Sequence, residues 1–120
     1  MKNNRDIGDK YEEKATAILI SNNYKILERN YRVKAGEIDI IAEKNGIIVF
    51  VEVKYRKTLK FGSGLEAVDY KKIKRIYNAA RVYLTLKNKL YSKIRFDCIS
   101  FLGEKVTWTK NLAWGDEIGF

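Results

Sequence analysis

The sequence predicts a single α/β domain over residues 1–120, built on a mixed central sheet flanked by helices. Two stretches with helical apolar spacing bracket a block of three strand-like runs, and strand-like runs follow the second. An Asn-Gly step joins two of those runs, a strong local hairpin signal. With 120 residues, 46% of them apolar, the chain holds enough material for one core and little for a second.

Ile7, Tyr11, Ala15 and Ile18, with Leu19 beside them, recur at helical spacing and predict a helix over about residues 6–21. Asn22-Asn23 ends it, and YKILERNYRV reads as a strand. Lys34-Ala35-Gly36 forms a turn into EIDIIAE, and Lys44-Asn45-Gly46 turns that strand back into GIIVFVEVKYR. The segment 57–64, KTLKFGSG, is polar, basic and glycine-containing and reads as a loop. A long helix over about Leu65–Lys87 follows, then strands KIRFDCISFL and EKVTWTK and an aromatic tail. The order is helix, three strands, helix, one or two strands, which suits two helical layers about a mixed sheet.

Composition narrows the chemistry. Lys and Arg number 24 against 15 Asp and Glu, a net charge of +9, which fits either a polyanionic partner such as nucleic acid or a well-solvated surface. Histidine is absent and cysteine occurs once, so a histidine-based nucleophile system and a structural zinc site are both excluded. Any metal must be a hard cation on oxygen ligands, as Mg²⁺ or Mn²⁺ would be. Cys98 lies in an apolar run and reads as a buried, inert thiol. The polar start MKNNRDIGDKYEEK has no signal-peptide core, and no apolar run reaches the ~20 residues of a membrane span. The expectation is a cytoplasmic protein with no membrane partner, as a monomer or homodimer.

Strand alternation gathers the chemistry. Ile47, Val49, Val51, Val53 and Tyr55 share one face, and Ile48, Phe50, Glu52, Lys54 and Arg56 the other. In the hairpin partner Glu37, Asp39 and Ile41 share a face, with Ile38, Ile40 and Ala42 opposite. Asp39 lies about six residues before the turn centre and Glu52 about seven after it, so the two approach cross-strand register. Two carboxylates so placed repel unless a cation lies between them or each pairs with a lysine such as Lys54.

The helices add two residues. Glu12 lies about 20° from Leu19 on the helical wheel, at the rim of the core face. Leu65, Asp69, Lys72, Ile76, Ala80 and Tyr83 form one stripe, while Lys71, Lys74 and Arg75 point outward. Lys72 is therefore aimed at the sheet, either toward a site or as a stem covering apolar surface.

These residues carry a resemblance. Asp39, Glu52-Val53-Lys54 at a strand end and a following inward lysine resemble the PD-(D/E)xK restriction-endonuclease-like nuclease superfamily. Over nearly its full length the chain resembles the YraN-like uncharacterised protein family, UPF0102. The matching pieces are GDKYEEKA, Asn30 and Arg32 in RNYR, GEIDIIA, VFVEVKYR, Lys72, Ala80 with Tyr83-Leu84, and RFD at 95–97. Tyr11 stands where relatives usually have a second glycine, and Ile38 where the superfamily motif has proline.

The resemblance implies a restriction-endonuclease-like core and a Mg²⁺-dependent (or Mn²⁺-dependent) nuclease acting on DNA, with branched or single-stranded DNA as candidate substrates. Asp39, Glu52 and the Val53 carbonyl would hold the ion. Lys54 would orient or deprotonate water, and Glu12 would serve a second ion or its water. Lys72, Arg56, Lys57 and Lys60 would grip the nucleic-acid backbone. Tyr55 fits core packing or base stacking, and Trp108 fits core packing. A nucleic-acid-binding module that keeps the nuclease fold without its chemistry is the other reading.

Overall fold

Apolar alternation from Ile38 to Val53 provides a sheet with two oily faces, and each face takes one helix. The computed structural model describes residues 4–56, 70–90 and 92–111. Its elements are α1 (Asn4–Ser21), β1 (Lys25–Val33), β2 (Gly36–Lys44), β3 (Ile47–Arg56), α2 (Tyr70–Leu86), β4 (Lys93–Leu102) and β5 (Lys105–Thr109). The five strands lie side by side in chain order. β3 and β4 are parallel and every other neighbouring pair is antiparallel, so the sheet is mixed. This arrangement fits the expected restriction-endonuclease-like core. The loop predicted at 57–64, residues 65–69 of the second predicted helix, and the tail from 112 onward lie outside the described residues.

Both helices stop at an asparagine. Asn23 has φ 69° and Asn88 φ 57°, the left-handed geometry that closes a helix end. Tyr24 N–H then donates to the Leu19 carbonyl at 3.0 Å, and Lys89 N–H to the Leu84 carbonyl at 2.7 Å. The β2–β3 hairpin turns on Asn45 (φ 52°) and Gly46 (φ 78°), the two positive-φ positions that such a turn requires.

On one face α2 buries Ile76, Tyr77, Ala80, Tyr83 and Leu84 against Ile41, Ile48, Phe50 and Phe96. On the other, α1 sets Ala15 and Leu19, with Tyr11 and Ile18, against Ile40, Ala42, Val49, Val51 and Ile99. Tyr55 stacks on Tyr11 with ring centroids 4.0 Å apart, and Trp108 packs in the same cluster, so core packing accounts for both. Cys98 is buried and unpaired by any disulfide, and burial pushes its thiol up to about 11. No helix among the described residues is long and apolar enough to cross a membrane.

One part of the expected alternation fails. Ile38 joins the α2-side core with Ile41, instead of the opposite face with Ile40. The slip brackets Asp39, and Asn30, facing Asp39 from β1, has φ 52° in mid-strand. A left-handed residue there breaks the pleat's two-residue period.

Candidate functional site

The β2–β3 ladder runs from the hairpin turn as far as Ile40 opposite Val51. One more step in that register brings Asp39 opposite Glu52. There Asp39 turns its carboxylate to the partner backbone, and its Oδ2 accepts a 2.8 Å hydrogen bond from the Val53 N–H. Glu52 sits beside it, buried, as the single acidic residue of β3.

The predicted closeness of the two carboxylates is present, and so is its cost. Burial, then the charge of Glu52, push the Asp39 carboxyl up to about 8. Glu52 takes its counter-charge from α2, where Lys72 Nζ stands 2.6 Å from Glu52 Oε1. The expected alternative partner, Lys54, is not the lysine in that bridge. Burial pulls the Lys72 ammonium down, but the charge and hydrogen bond of Glu52 outweigh it and the net shift is upward. Lys72 thus reaches the sheet as its helical phase predicts. In this structure it meets the carboxylate, where the resemblance implies a grip on nucleic-acid backbone.

Two adjoining clefts share Val53 and Lys72. The first, about 160 Å³, is lined by Glu37, Asp39 and Glu52 on the sheet and by Arg75 and Ile76 on α2. Arg75, expected to point away from the sheet, therefore borders the site. The second, about 260 Å³, is lined by Lys54, Tyr55 and Arg56. Burial draws the Lys54 ammonium down from the usual lysine range. A cleft that gathers three carboxyls with Lys72 and Arg75 thus adjoins a basic one across Val53 of β3.

Glu12 lies on the far side of Asp39, partly buried on α1, and its charge adds to the upward push on Asp39. Burial, then Asp9, raise its own carboxyl, while Arg29, Arg32 and an Asn30 hydrogen bond oppose the shift. Glu12 Oε1 is buried with no hydrogen-bond partner among the described residues. Even so, no three Asp, Glu or Cys side chains among the described residues converge on a point that would hold a metal. Lys57 and Lys60 lie outside the described residues.

With this geometry in place, comparison with known proteins gives the family. The family model described as Uncharacterised protein family UPF0102 matches residues 11–101. The chain belongs to the UPF0102 family. It is 58% identical over 118 residues to the UPF0102 protein FN1370 of Fusobacterium nucleatum, covering 98% of this chain and 99% of that one. A UPF0102 protein of Clostridioides difficile is 48% identical over 104 residues, covering 86% and 91%. One from Dictyoglomus turgidum is 43% identical over 110 residues, covering 88% and 93%. Among solved structures, the crystal structure of SSO0001 matches with a TM-score of 0.47 and 17% identity, over 89% of this chain and 51% of that one.

Glu12, Asp39, Glu52, Lys54 and Lys72 all lie within the stretch matched by the UPF0102 model. Strand period and helical phase gave no sign of two features of this UPF0102 protein. The first is Asn30, whose left-handed backbone no apolar pattern encodes. The second is Asp97, fully buried on the α1 side. It accepts from Arg95 Nε and Nη2, from Trp108 Nε1 and from the Asn111 N–H, all within 2.8–2.9 Å. The available signal for Asp97 was a carboxylate in mid-run of an apolar strand.

Proposed function

We propose that this UPF0102 protein is a metal-dependent nuclease of the PD-(D/E)xK kind, cutting DNA phosphodiester bonds. The observation that carries the reading is the carboxyl pair of Asp39 and Glu52 in one cleft, opening beside the basic cleft of Lys54 and Arg56. A phosphodiester centre needs both, negative oxygens for a cation and positive groups for phosphate.

The donor set fits a hard divalent cation. Asp39 and Glu52 supply oxygens, burial and then the charge of Glu52 push the Asp39 carboxyl up to about 8, and Glu12 Oε1 is buried with no hydrogen-bond partner among the described residues. Asp39, Glu52 and the Val53 carbonyl would hold Mg²⁺ or Mn²⁺, which supplies Lewis acidity and a more acidic water when bound. The chain's own residues do the rest. Lys54, its ammonium drawn down by burial, gives up its proton more readily than a solvated lysine and suits the role of water base. Lys72 and Arg56 border the same cleft and neutralise phosphate oxygens. Backbone contacts of this kind are salt-sensitive and read no sequence.

A second reading has its own observation. The Lys72 ammonium already answers Glu52, as expected if the fold serves as a nucleic-acid grip without chemistry. One experiment separates them. Purified protein is incubated with duplex, single-stranded and branched DNA, with Mg²⁺, Mn²⁺ or EDTA, beside Glu52→Gln and Lys54→Ala. The nuclease reading requires metal-dependent products that both variants lose while remaining folded. Salt-dependent binding without cleavage, unchanged in Asp39→Asn, decides for the grip.

A further inference from the structure

The two helices carry their charges differently. On α1 the exposed Asp9 and Glu13 stand among the exposed Lys10 and Lys14, so both signs are interspersed. α2 reads YKKIKRIYNAARVYLTL, with five cations and no carboxylate. Four of those cations, Lys71, Lys74, Arg75 and Arg81, are on exposed residues. At 3.6 residues per turn the four fall within an arc of about 120°, with Asn78 between them. Lys71 stands three and four residues from Lys74 and Arg75, the spacings at which like charges weaken a helix. Cations held on one face, with no acidic residue on the helix to offset them, point to an anion that comes from outside the chain.

The place of this face in the fold says which anion. Arg75 lines the same cleft as Asp39, Glu52 and Lys72, so the cationic face begins at the lip of the candidate site. From Lys71 to Arg81 the helix rises about 15 Å. Over that length one strand of a duplex presents about four phosphates, one for each exposed cation. A membrane surface suits the face less well. An interfacial helix lays its apolar side in the lipid, whereas α2 has committed Ile76, Tyr77, Ala80, Tyr83 and Leu84 to the sheet.

We propose that the outward face of α2 is a phosphate track, along which a nucleic-acid strand leaving the cleft passes Arg75 and lies against Lys74 and Arg81. The inference rests on the nucleic-acid reading above and deepens it, by giving the partner a direction across the surface. Contacts of this kind fix the register of the backbone in the cleft and read no sequence.

The test is binding of duplex DNA to the intact chain in EDTA, read by fluorescence anisotropy over a series of salt concentrations. The pair Lys74→Gln with Arg81→Gln removes two track charges outside the cleft. Lys105→Gln with Lys110→Gln removes two exposed charges at β5 and just beyond it, as a matched control. Lys74→Arg with Arg81→Lys keeps the charge and separates it from any effect on folding. The α2 glutamine pair is expected to bind about tenfold or more weakly near 0.1 M salt. Its plot of log affinity against log salt should be shallower by about 2, since each phosphate contact accounts for about 0.9. The other two pairs are expected to keep the wild-type slope. A wild-type slope in the α2 glutamine pair overturns the inference, and so does an equal loss in either of the other pairs. If that pair loses binding to phosphatidylserine vesicles and not to DNA, the face belongs to a membrane surface and the track is overturned. Wild-type protein that binds the duplex in neither EDTA nor Mn²⁺ overturns the nucleic-acid reading and this inference together.

Discussion

Gly36 at the start of β2 lies directly under the carbonyl of Arg75 in α2. A Cβ on Gly36 would stand 1.9 Å from that oxygen and 2.6 Å from its carbon. Both are backbone atoms, so neither can swing aside. The φ of Gly36 is outside the left-handed region, and space alone therefore excludes a side chain. This contact sets the height of α2 above the sheet next to Lys72, three residues from Arg75, whose ammonium must reach Glu52.

Gly36→Ala is accordingly expected to cost about 2–3 kcal/mol of stability, as overpacking against rigid backbone does. It should also weaken Mn²⁺ and DNA binding together, because α2 must lift. Urea unfolding with binding measured on the folded fraction checks it. Wild-type stability would show that α2 is not seated by this contact.

Lys72 competes with any cation for Glu52. Lys72→Gln leaves a buried carboxylate beside Asp39 with its bridge removed. The metal-free protein should lose about 1–2 kcal/mol, less than for a fully buried pair because the Lys72 side chain is 49% exposed. Mn²⁺ affinity should rise as the competing ammonium goes, while DNA affinity falls. Opposite signs in the two titrations are the distinguishing result. A parallel fall in both would mean that Lys72 supports the metal site.

What the sequence made legible follows from period. Alternation in GIIVFVEVKYR put Glu52 on one face and Val49, Val51 and Val53 on the other, and the structure gives the first face to α2 and the second to α1. Counting from Asn45-Gly46 brought Asp39 level with Glu52, and the ladder's register agrees. Helical phase aimed Lys72 inward. Ile38 escaped the count, because alternation presumes an unbroken pleat and the pleat here breaks beside Asn30, whose left-handed backbone no hydrophobic pattern records. The Lys72–Glu52 bridge escaped too, since phase gives direction and not the distance to which Gly36 lets α2 descend.

Asp39 gives a pH signature. Its carboxyl is raised from 3.8 to about 8, so the folded protein binds that proton more tightly than the unfolded chain does. Its contribution to stability is whole below the ordinary carboxylate range and is lost as pH rises through about 8. Asp39→Asn mimics the protonated form and can still accept from the Val53 N–H. In EDTA it should match the wild type near pH 4 and exceed it by about 1–3 kcal/mol near pH 9. Urea unfolding at both pH values checks this. An equal offset at the two would trace the effect to shape and not to charge.

Asp97 holds the far edge of the sheet. Its two oxygens take four donors, from Arg95, Trp108 and Asn111, and Arg95 passes on to the Tyr24 hydroxyl at 2.6 Å. The hydrogen bond to Asp97 is the main reason the Arg95 guanidinium is shifted upward. One buried carboxylate thus ties β4 to β5, to Asn111 just beyond β5 and, through Arg95, to the segment linking α1 and β1. Asp97→Ala leaves a half-buried guanidinium and an indole N–H unanswered, at a cost of about 2–4 kcal/mol. Asp97→Asn keeps one acceptor oxygen and should cost less. In a Trp114→Phe background Trp108 is the single indole, so its fluorescence reports the clasp directly. Asp97→Ala should shift that emission to the red while far-ultraviolet dichroism keeps its helical signal. Unshifted emission would mean that Trp108 is seated by Tyr24 and its other apolar neighbours without the carboxylate.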